Sequence, residues 1–378
     1  MTTLTAFCFA AASQALTAFT LGFTDPSEPI RAIAAIVVAL ITLCFTIRMQ
    51  DALPNRLHLA LLVSGMWIQC LKSFDDLCLS RLSFEGLNAS PSVTERLKFG
   101  LRQLWNMRGV GTTKEISQIP PWSRKAPLFT PTRSQAIRRH ARNAILSYLI
   151  LDIFANQRPS DPDMLSPSKE TLLTRLGEVG LEEAIFRFFV VFSFWISAFC
   201  CIQFINSVLS LIYVGLNLYP VSMLPPIWGR LSDCYTVRRF WGKFWHQTLR
   251  RHLTSLSEHI IHDILHMSKG LLSRYSKLII CFLISGVVHS SSDTTLGIPV
   301  EESNSVTYFV TTALVIMCED GVQHVFRGVR GNWSRWFGYF WVLCYMYVMT
   351  PSWGYPAARA VRPQDQMVSF SLIKQFMS

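Results

Sequence analysis

Two histidines in this sequence have neighbours that suit acid–base chemistry, and the first is His289 in the apolar run LIICFLISGVVHSSSD (278–293). It lies 12 residues beyond Lys277, which on a helix is about 18 Å from that charged residue. Ionisable groups inside a membrane span are costly, so they usually face a polar cavity. Ser285 and Asp293, at i−4 and i+4, share its helical face and can fix the imidazole tautomer. A neutral imidazole there can act as a general base, although a histidine that is only hydrogen-bonded within a helix bundle fits the same spacing.

The second histidine, His246, lies in RRFWGKFWHQTLRR (238–251), which mixes four large aromatic side chains with arginine and lysine. At 100° per residue, a helix here has an aromatic face and, opposite it, a cationic stripe about 60° wide. The residues of that stripe are Arg239, Lys243, His246 and Arg250. One interpretation is a membrane-surface helix whose cations contact lipid phosphates. The other is a binding site for a phosphate-rich soluble cofactor, which the preceding access loop PPIWGRLSDCYTV (225–237) favours because its prolines and glycine give it a defined shape.

The composition indicates a membrane protein. Half of the 378 residues are apolar, only 16% are charged and the mean hydropathy is +0.30. A soluble chain has about a quarter charged residues. The formal net charge of +11 comes from basic segments that alternate with apolar runs. This alternation favours anionic lipid headgroups or a phosphate-bearing ligand as partners, and not nucleic acid.

Apolar runs predict the fold class, because crossing a bilayer takes about 20 mostly apolar residues. The good candidates are 4–23, 30–47, 57–71, 276–292, 305–320 and 334–350. Residues 142–155 are apolar but short, and can dip into the membrane without crossing it. Residues 184–219 are apolar over 36 positions, about 54 Å as a helix, so they form either two helices or one long one. We therefore expect an all-α, multi-span helical membrane protein with about 7–9 transmembrane helices.

Charged loops orient these helices. Residues 81–142 contain twelve Lys and Arg against three Glu, and residues 230–277 contain nine against three acidic residues. Residues 293–304 contain Asp293, Glu301 and Glu302 and no cation. A third basic loop contains Arg327, Arg330 and Arg335. The positive-inside rule puts the three basic segments in the cytosol and 293–304 on the other side of the membrane.

Other motifs predict little chemistry. His259, His262 and His266 lie on one helix face with metal-like spacing, but an amphipathic surface helix explains them better than a metal site. The sequence has no GxSxG, GxxxxGK[ST] or GxGxxG motif, and no activated serine or cysteine is evident. A channel or transporter without enzymatic activity is the alternative from another functional class.

PPIWGRLSDCYTVRRFWGKFWHQTLR, followed some forty residues later by SGVVHSSSD, resembles the wax-synthase-like branch of the membrane-bound O-acyltransferase superfamily. Within that branch the chain is most similar to fungal acetyltransferases that modify terpenoids and meroterpenoids. WNMRGVGT (105–112) adds to the resemblance, which covers roughly 95–350. It implies three regions: N-terminal transmembrane helices (1–72), a basic cytosolic loop with a Pro-rich linker (73–141) and a catalytic region (142–378).

The resemblance implies acyl transfer from acyl-CoA to an alcohol in a membrane tunnel, without a permanently bound cofactor or a metal. The family's histidine maps onto His289 as general base. A second polar position, Asn in many relatives, maps onto His246, which then polarises the thioester carbonyl or only orders the site. The expected CoA-binding residues are Arg239, Lys243, Arg250 and Trp245.

Attack would be direct, without an acyl-enzyme. The expected substrates are acetyl-CoA and a hydrophobic terpenoid alcohol that enters from the lipid bilayer. The expected location is the endoplasmic reticulum membrane, which the chain crosses several times. The alternative donor and acceptor are a fatty acyl-CoA and a fatty alcohol, as in a wax-ester synthase.

Overall fold

Long apolar runs of the sequence become helices, because lipid offers no other partner for backbone N–H and C=O groups. A computed structural model of the chain describes residues 3–50, 52–84, 91–155, 161–326, 332–368 and 370–377, and no strand occurs in these ranges. The α-helices are α1 (Thr3–Phe23), α2 (Ile30–Arg48), α3 (Arg56–Phe74), α4 (Val93–Gln103), α5 (Arg133–Ala155), α6 (Leu181–Gly215), α7 (Val237–Arg239), α8 (Arg250–Glu258), α9 (Leu271–Leu296), α10 (Ser305–Val325), α11 (Asn332–Ala360) and α12 (Leu372–Met377). Short π-helical segments (Asp75–Leu79, Phe240–Phe244 and His259–Ile264) follow α3, α7 and α8.

Six helices of the described chain are long and apolar enough to cross a membrane: α1, α2, α3 with its π-helical extension, α6, α9 and α10. The prediction of an all-α multi-span protein is thus confirmed. The run whose division the sequence left open is one continuous helix, α6, which at 35 residues is about 52 Å long. Large apolar side chains such as Ile36, Leu40 and Phe188 remain exposed on these helices, as contact with lipid requires.

Basic segments meet at one end of the helix bundle, which we call the basic end. Arg108 from WNMRGVGT donates to the carbonyl oxygens of Pro225 and Pro226 in the access loop. Arg102 reaches the carbonyl of Leu218 just after α6, and Arg250 reaches that of Ser117. Segments 81–142 and 230–277 therefore share this end, as predicted from their charge. Arg327 and Arg330 of the third basic loop lie outside the described residues.

The acidic loop lies at the opposite end of the bundle. Asn304 hydrogen-bonds to Glu170 at 3.3 Å, and Arg359 at the end of α11 pairs with the same carboxylate at 2.5 Å. The loop between α5 and α6, whose side the sequence did not indicate, therefore lies at this end. The start of α3 is here too, since Arg56 approaches the end of α9 at Gly297.

Close packing of α9 on α10 depends on Gly286. A Cβ atom at this position would come within 2.8 Å of the Val306 Cα atom, which a real side chain could not do. A glycine at this position of an apolar span permits the close approach of the two helices. The result is that His289, one helical turn further along α9, faces the side chains of α10 at short range.

Candidate active site

The segment 238–251 does not form one helix, so the cationic stripe deduced from a helical wheel is wrong. After α7 the chain makes a π-turn in which the N–H of Trp245 donates to the carbonyl of Phe240 at 2.7 Å. The backbone of Trp245 is then extended (φ −60°, ψ 147°), and helical structure resumes only at Arg250. Gly229 of the access loop fits against this turn, because a Cβ atom there would lie 1.9 Å from the Lys243 carbonyl oxygen. Wide turns of this kind are frequent at functional sites.

Glu319 and Asp320 of α10 hold the start of this segment. The Glu319 carboxylate accepts hydrogen bonds from the backbone N–H groups of Val237 (2.8 Å) and Arg238 (3.1 Å), which have no helical partner at a helix start. Asp320 pairs with Arg238 at 2.6 Å and with Arg274 at 3.1 Å. The structure shows the two acids fixing the segment at the basic end.

The predicted cofactor cations separate in space. Arg239 pairs with Asp233 at 2.8 Å and lies 4.3 Å over the ring of Tyr235. Lys243 has no hydrogen bond or ion pair to the described part of the chain. Arg250 alone lines a polar pocket of about 750 Å³ at the basic end. Other cations at this pocket are Arg81, Lys114 and Arg251, and its acidic residues are Glu115, Glu258 and Asp263.

Aromatic side chains of the segment face the protein core and not the lipid. Phe240, Phe244 and Trp245, the fourth predicted cofactor residue, are buried in one hydrophobic cluster. Trp241 continues the cluster deeper into the bundle, with its ring 5.6 Å from that of Phe309. Because Phe309 precedes Glu319 by ten residues on α10, the segment runs about 15 Å inward from the basic end.

His246 follows this aromatic turn and is half-buried. Its Nδ1 atom lies 2.7 Å from the hydroxyl oxygen of Thr248, and its ring packs edge-on against Trp228 at 5.8 Å. Burial, together with the nearby His289, lowers the pKa of His246 to about 3, so the ring is neutral at pH 7. When the Thr248 hydroxyl donates to Nδ1, Nε2 carries the proton and is a hydrogen-bond donor.

His289 is held by aromatic rings. The imidazole stacks on Phe309 with 4.7 Å between ring centroids and 6° between planes, and the Trp353 ring of α11 lies edge-on at 5.1 Å. No residue described by the structure hydrogen-bonds to either ring nitrogen, and neither nitrogen is fully buried. The two histidines interact electrostatically, so the fold brings together the pair that lies 43 positions apart in the sequence.

The expected tautomer-fixing contact from Asp293 is absent among the described contacts. Its carboxylate instead accepts hydrogen bonds from Ser303, at 2.8 Å, and from Ser305. Asp293, at i+4, shares a helix face with His289, but its carboxylate binds the two serine hydroxyls and not the imidazole. Ser285 is buried and likewise makes no hydrogen bond to His289.

A buried ionic cluster close to His246 in the sequence was not foreseen. Asp76 pairs with Lys72 and with Arg251, the latter at 2.6 Å. Asp75 accepts from His252 Nδ1 at 2.9 Å, so the end of α3 is tied to the start of α8. The available signal was the acidic pair in FDDL at the end of an apolar span.

Although oxygen and nitrogen atoms of Asp75, Asp76 and His252 lie within 4.8 Å of one another, these groups do not fit a cation site. Lys72 and Arg251 already supply two positive charges to the two carboxylates. The three histidines of the α8 region do not converge either. His259 binds Asp263 and His262 binds the Met267 carbonyl.

The described chain is thus a helical membrane bundle in which two imidazoles interact and a polar pocket opens at the basic end. The model of the membrane bound O-acyl transferase family matches residues 224–311, a range that contains both histidines. Acetyltransferase pyr8 of Aspergillus fumigatus is 32% identical over 298 residues, 75% of this chain and 70% of that protein.

Further relatives have the same description. Acetyltransferase fsoF of Humicola fuscoatra is 30% identical, with 70% of this chain and 68% of that protein covered. Acetyltransferase ataH of Aspergillus terreus is 28% identical, with 72% and 93% covered. The chain belongs to the membrane bound O-acyltransferase family and is an integral membrane acyltransferase, which sets aside the channel or transporter alternative.

Proposed function

We propose that the chain is an O-acetyltransferase that moves acetyl from acetyl-CoA to a hydroxyl group of a hydrophobic terpenoid or meroterpenoid. The observation that carries this proposal is that His246 and His289 interact with each other inside a membrane bundle. Each imidazole can be neutral and has an accessible ring nitrogen. The relatives named above are acetyltransferases of fungi, which supports acetyl as the group transferred. The proposed location is the endoplasmic reticulum membrane, with the basic end of the protein facing the cytosol.

In this mechanism His289 removes the proton of the acceptor hydroxyl while the oxygen attacks the thioester carbonyl carbon. The carbon–sulfur bond then breaks, the acetate ester leaves, and the proton on His289 passes to the CoA thiolate. His246 donates from Nε2 to the carbonyl oxygen, where negative charge develops. Direct attack is favoured over an acyl-enzyme because no serine or cysteine in the described ranges is hydrogen-bonded to His289.

The pocket at the basic end is the proposed site for the nucleotide end of CoA. Arg250 and Lys114 line it beside Glu115, Glu258 and Asp263, and Arg250 is four residues from His246 in the sequence. Arg239 is already paired with Asp233, so we do not propose it as a phosphate-binding residue. Lys243 remains a candidate, since it has no partner in the described chain.

The acyl group that best fits the site is short. Phe309 covers one face of His289, and Trp241 packs against both Phe309 and Phe282 at 5.6 and 5.9 Å between ring centroids. Rings at these separations are in contact and leave no room for an aliphatic chain between them. This packing favours acetyl over the long acyl chain of a wax-ester synthase.

A donor and acceptor matrix tests the proposal. Membranes that contain the protein would receive labelled acetyl-CoA or palmitoyl-CoA, each with a terpenoid alcohol, with hexadecanol, or with a lipid extract of the producing cell. We expect acetyl esters of the terpenoid or extract, and their loss by ~10²–10⁴-fold in the His289→Ala variant. Preferential palmitoyl transfer to hexadecanol would make the chain a wax-ester synthase, and a folded His289→Ala variant with normal turnover would remove His289 from the mechanism.

A further inference from the structure

Gln203 is a polar side chain deep inside an apolar helix. It lies 12 residues before Gly215, where α6 ends at the basic end, so it is about 18 Å from that end along the helix. An amide within a membrane-spanning helix is costly unless both of its polar atoms find partners. Both do: Nε2 donates to the Ser207 hydroxyl oxygen at 2.7 Å, and Oε1 accepts from the Trp228 indole N–H at 2.8 Å.

The second of these hydrogen bonds holds the access loop inside the bundle. Trp228 belongs to that loop, and its ring packs on Phe199 of α6 with 4.2 Å between centroids. The next residue, Gly229, donates its backbone N–H to the Phe244 carbonyl at 2.9 Å. Non-helical backbone is tolerated at membrane depth only where protein covers it and satisfies its polar groups, so a loop in this position needs anchors. Gln203 is an anchor that α6 supplies.

Trp228 in turn packs against His246. The two rings meet edge-on, with 5.8 Å between centroids and 84° between planes. Trp245 flanks the same imidazole at 5.6 Å and is 5.1 Å from the Trp228 ring. Thr248 holds one edge of the imidazole at Nδ1, and the two indoles limit where the rest of the ring can lie. The direction in which Nε2 of His246 points therefore depends on where Trp228 is held.

We propose that Gln203 is a positioning residue that acts through Trp228 to aim the Nε2 donor of His246 at the thioester carbonyl oxygen. Loss of the amide leaves the indole N–H without its acceptor inside the bundle, so the indole shifts and the imidazole packed on it follows. A displaced Nε2 stabilises the negative charge of the transition state less well, because such stabilisation requires donors fixed in place before the reaction. This inference rests on the proposed role of His246 as hydrogen-bond donor.

The test measures transfer of labelled acetyl from acetyl-CoA to the lipid extract, by purified protein in lipid vesicles and with rates scaled to folded protein. The variants are Gln203→Leu, Trp228→Phe, His246→Ala and the double variant Gln203→Leu/His246→Ala. Asn206→Leu is the matched control, because Asn206 lies three residues further along α6 and makes no hydrogen bond within the described part of the chain.

Gln203→Leu and Trp228→Phe should each lower kcat about 10- to 100-fold with an unchanged KM for acetyl-CoA, because a misplaced donor costs rate and not binding of the donor substrate. Asn206→Leu should keep the wild-type kcat. If Gln203 acts through His246, the double variant is no slower than His246→Ala. Multiplicative losses in the double variant, or a Gln203→Leu enzyme as fast as Asn206→Leu, would overturn the inference.

The His246→Ala variant separates this inference from the proposed function. A fully active His246→Ala enzyme would remove His246 from the mechanism and this inference with it. A slow His246→Ala enzyme beside a Gln203→Leu enzyme of normal kcat would end this inference alone.

A second readout needs neither acetyl-CoA nor an acceptor. Diethyl pyrocarbonate should modify the His246 peptide faster in Gln203→Leu than in wild type or Asn206→Leu, as measured by mass spectrometry, because an imidazole no longer held by Trp228 is less protected. Equal rates in the three proteins would contradict a displaced ring.

Discussion

Trp241 should set the length of the acyl group, and its replacement by alanine is the perturbation that shows this. Its ring lies 5.6 Å from Phe309, which in turn stacks on the proposed base His289 at 4.7 Å, so the space that alanine opens is close to His289. One methylene in an apolar pocket changes kcat/KM about 10- to 200-fold. Butyryl-CoA, two methylenes longer than acetyl-CoA, should therefore be a poor donor for the wild type. Its kcat/KM relative to acetyl-CoA should rise about 10- to 100-fold in Trp241→Ala.

The assay is ester formation by purified protein in lipid vesicles, with each donor varied in turn and one terpenoid alcohol held at saturation. Trp→Ala changes in a core cost about 3–5 kcal/mol of stability, so rates must be scaled to folded protein. Phe244→Leu is the matched control, because Phe244 is buried in the same aromatic cluster but contacts Trp228, Phe240 and Trp245, away from the base. A folded Trp241→Ala enzyme with the wild-type donor ratio would refute the assignment of the acyl site to this aromatic wall.

Three further predictions address the pocket, the second histidine and the ionic cluster. The KM for acetyl-CoA should be about 3- to 10-fold higher in a Lys114→Gln/Arg250→Gln variant than in wild type. Added salt should raise the KM of the wild type, because it screens the charge pairs. Arg239→Gln is the control and should leave the KM for acetyl-CoA unchanged. His246 titrates near pH 6.5 when unfolded but near 3 when folded, so acid favours unfolding. As the pH is lowered below about 6.5, the melting temperature of the wild type should decrease, and that of His246→Asn should decrease less steeply. Equal slopes of melting temperature against pH in the two proteins would contradict the burial of His246. Asp75→Asn should lower stability by about 3–5 kcal/mol by leaving buried cations unpaired, and a melting temperature within a degree of wild type would disprove this.

Helices could be read from the sequence because lipid makes the choice simple. A stretch of some 20 apolar residues in a bilayer must satisfy its backbone internally, so the runs at 4–23, 30–47 and 305–320 had to be helical. Gly286 could be anticipated for the same local reason, since only a glycine lets two helices approach so closely. The choice of His289 as base likewise needed only its depth within an apolar run and the family resemblance.

The arrangement around Trp245 could not be predicted from the sequence, because it depends on partners remote in the chain. A helical wheel assumes an unbroken 3.6-residue period, and the π-turn at Phe240–Phe244 breaks it. That turn is stabilised by Glu319, 82 positions from Val237, and by Gly229 packed against the Lys243 carbonyl.

Sequence alone thus determined the fold class and the basic end, since these follow from local composition and spacing, and it singled out the two histidines as candidates. Only the tertiary structure decided what touches them. Asp293 binds Ser303 and Ser305 and not the imidazole one turn away, because these two hydroxyl donors from another segment converge on its carboxylate. Asp75 and Asp76, far from the motif in sequence, pair with His252 and Arg251 because burying unpaired charge is costly. Such pairings arise where distant elements exclude water together, and no spacing along the chain encodes them.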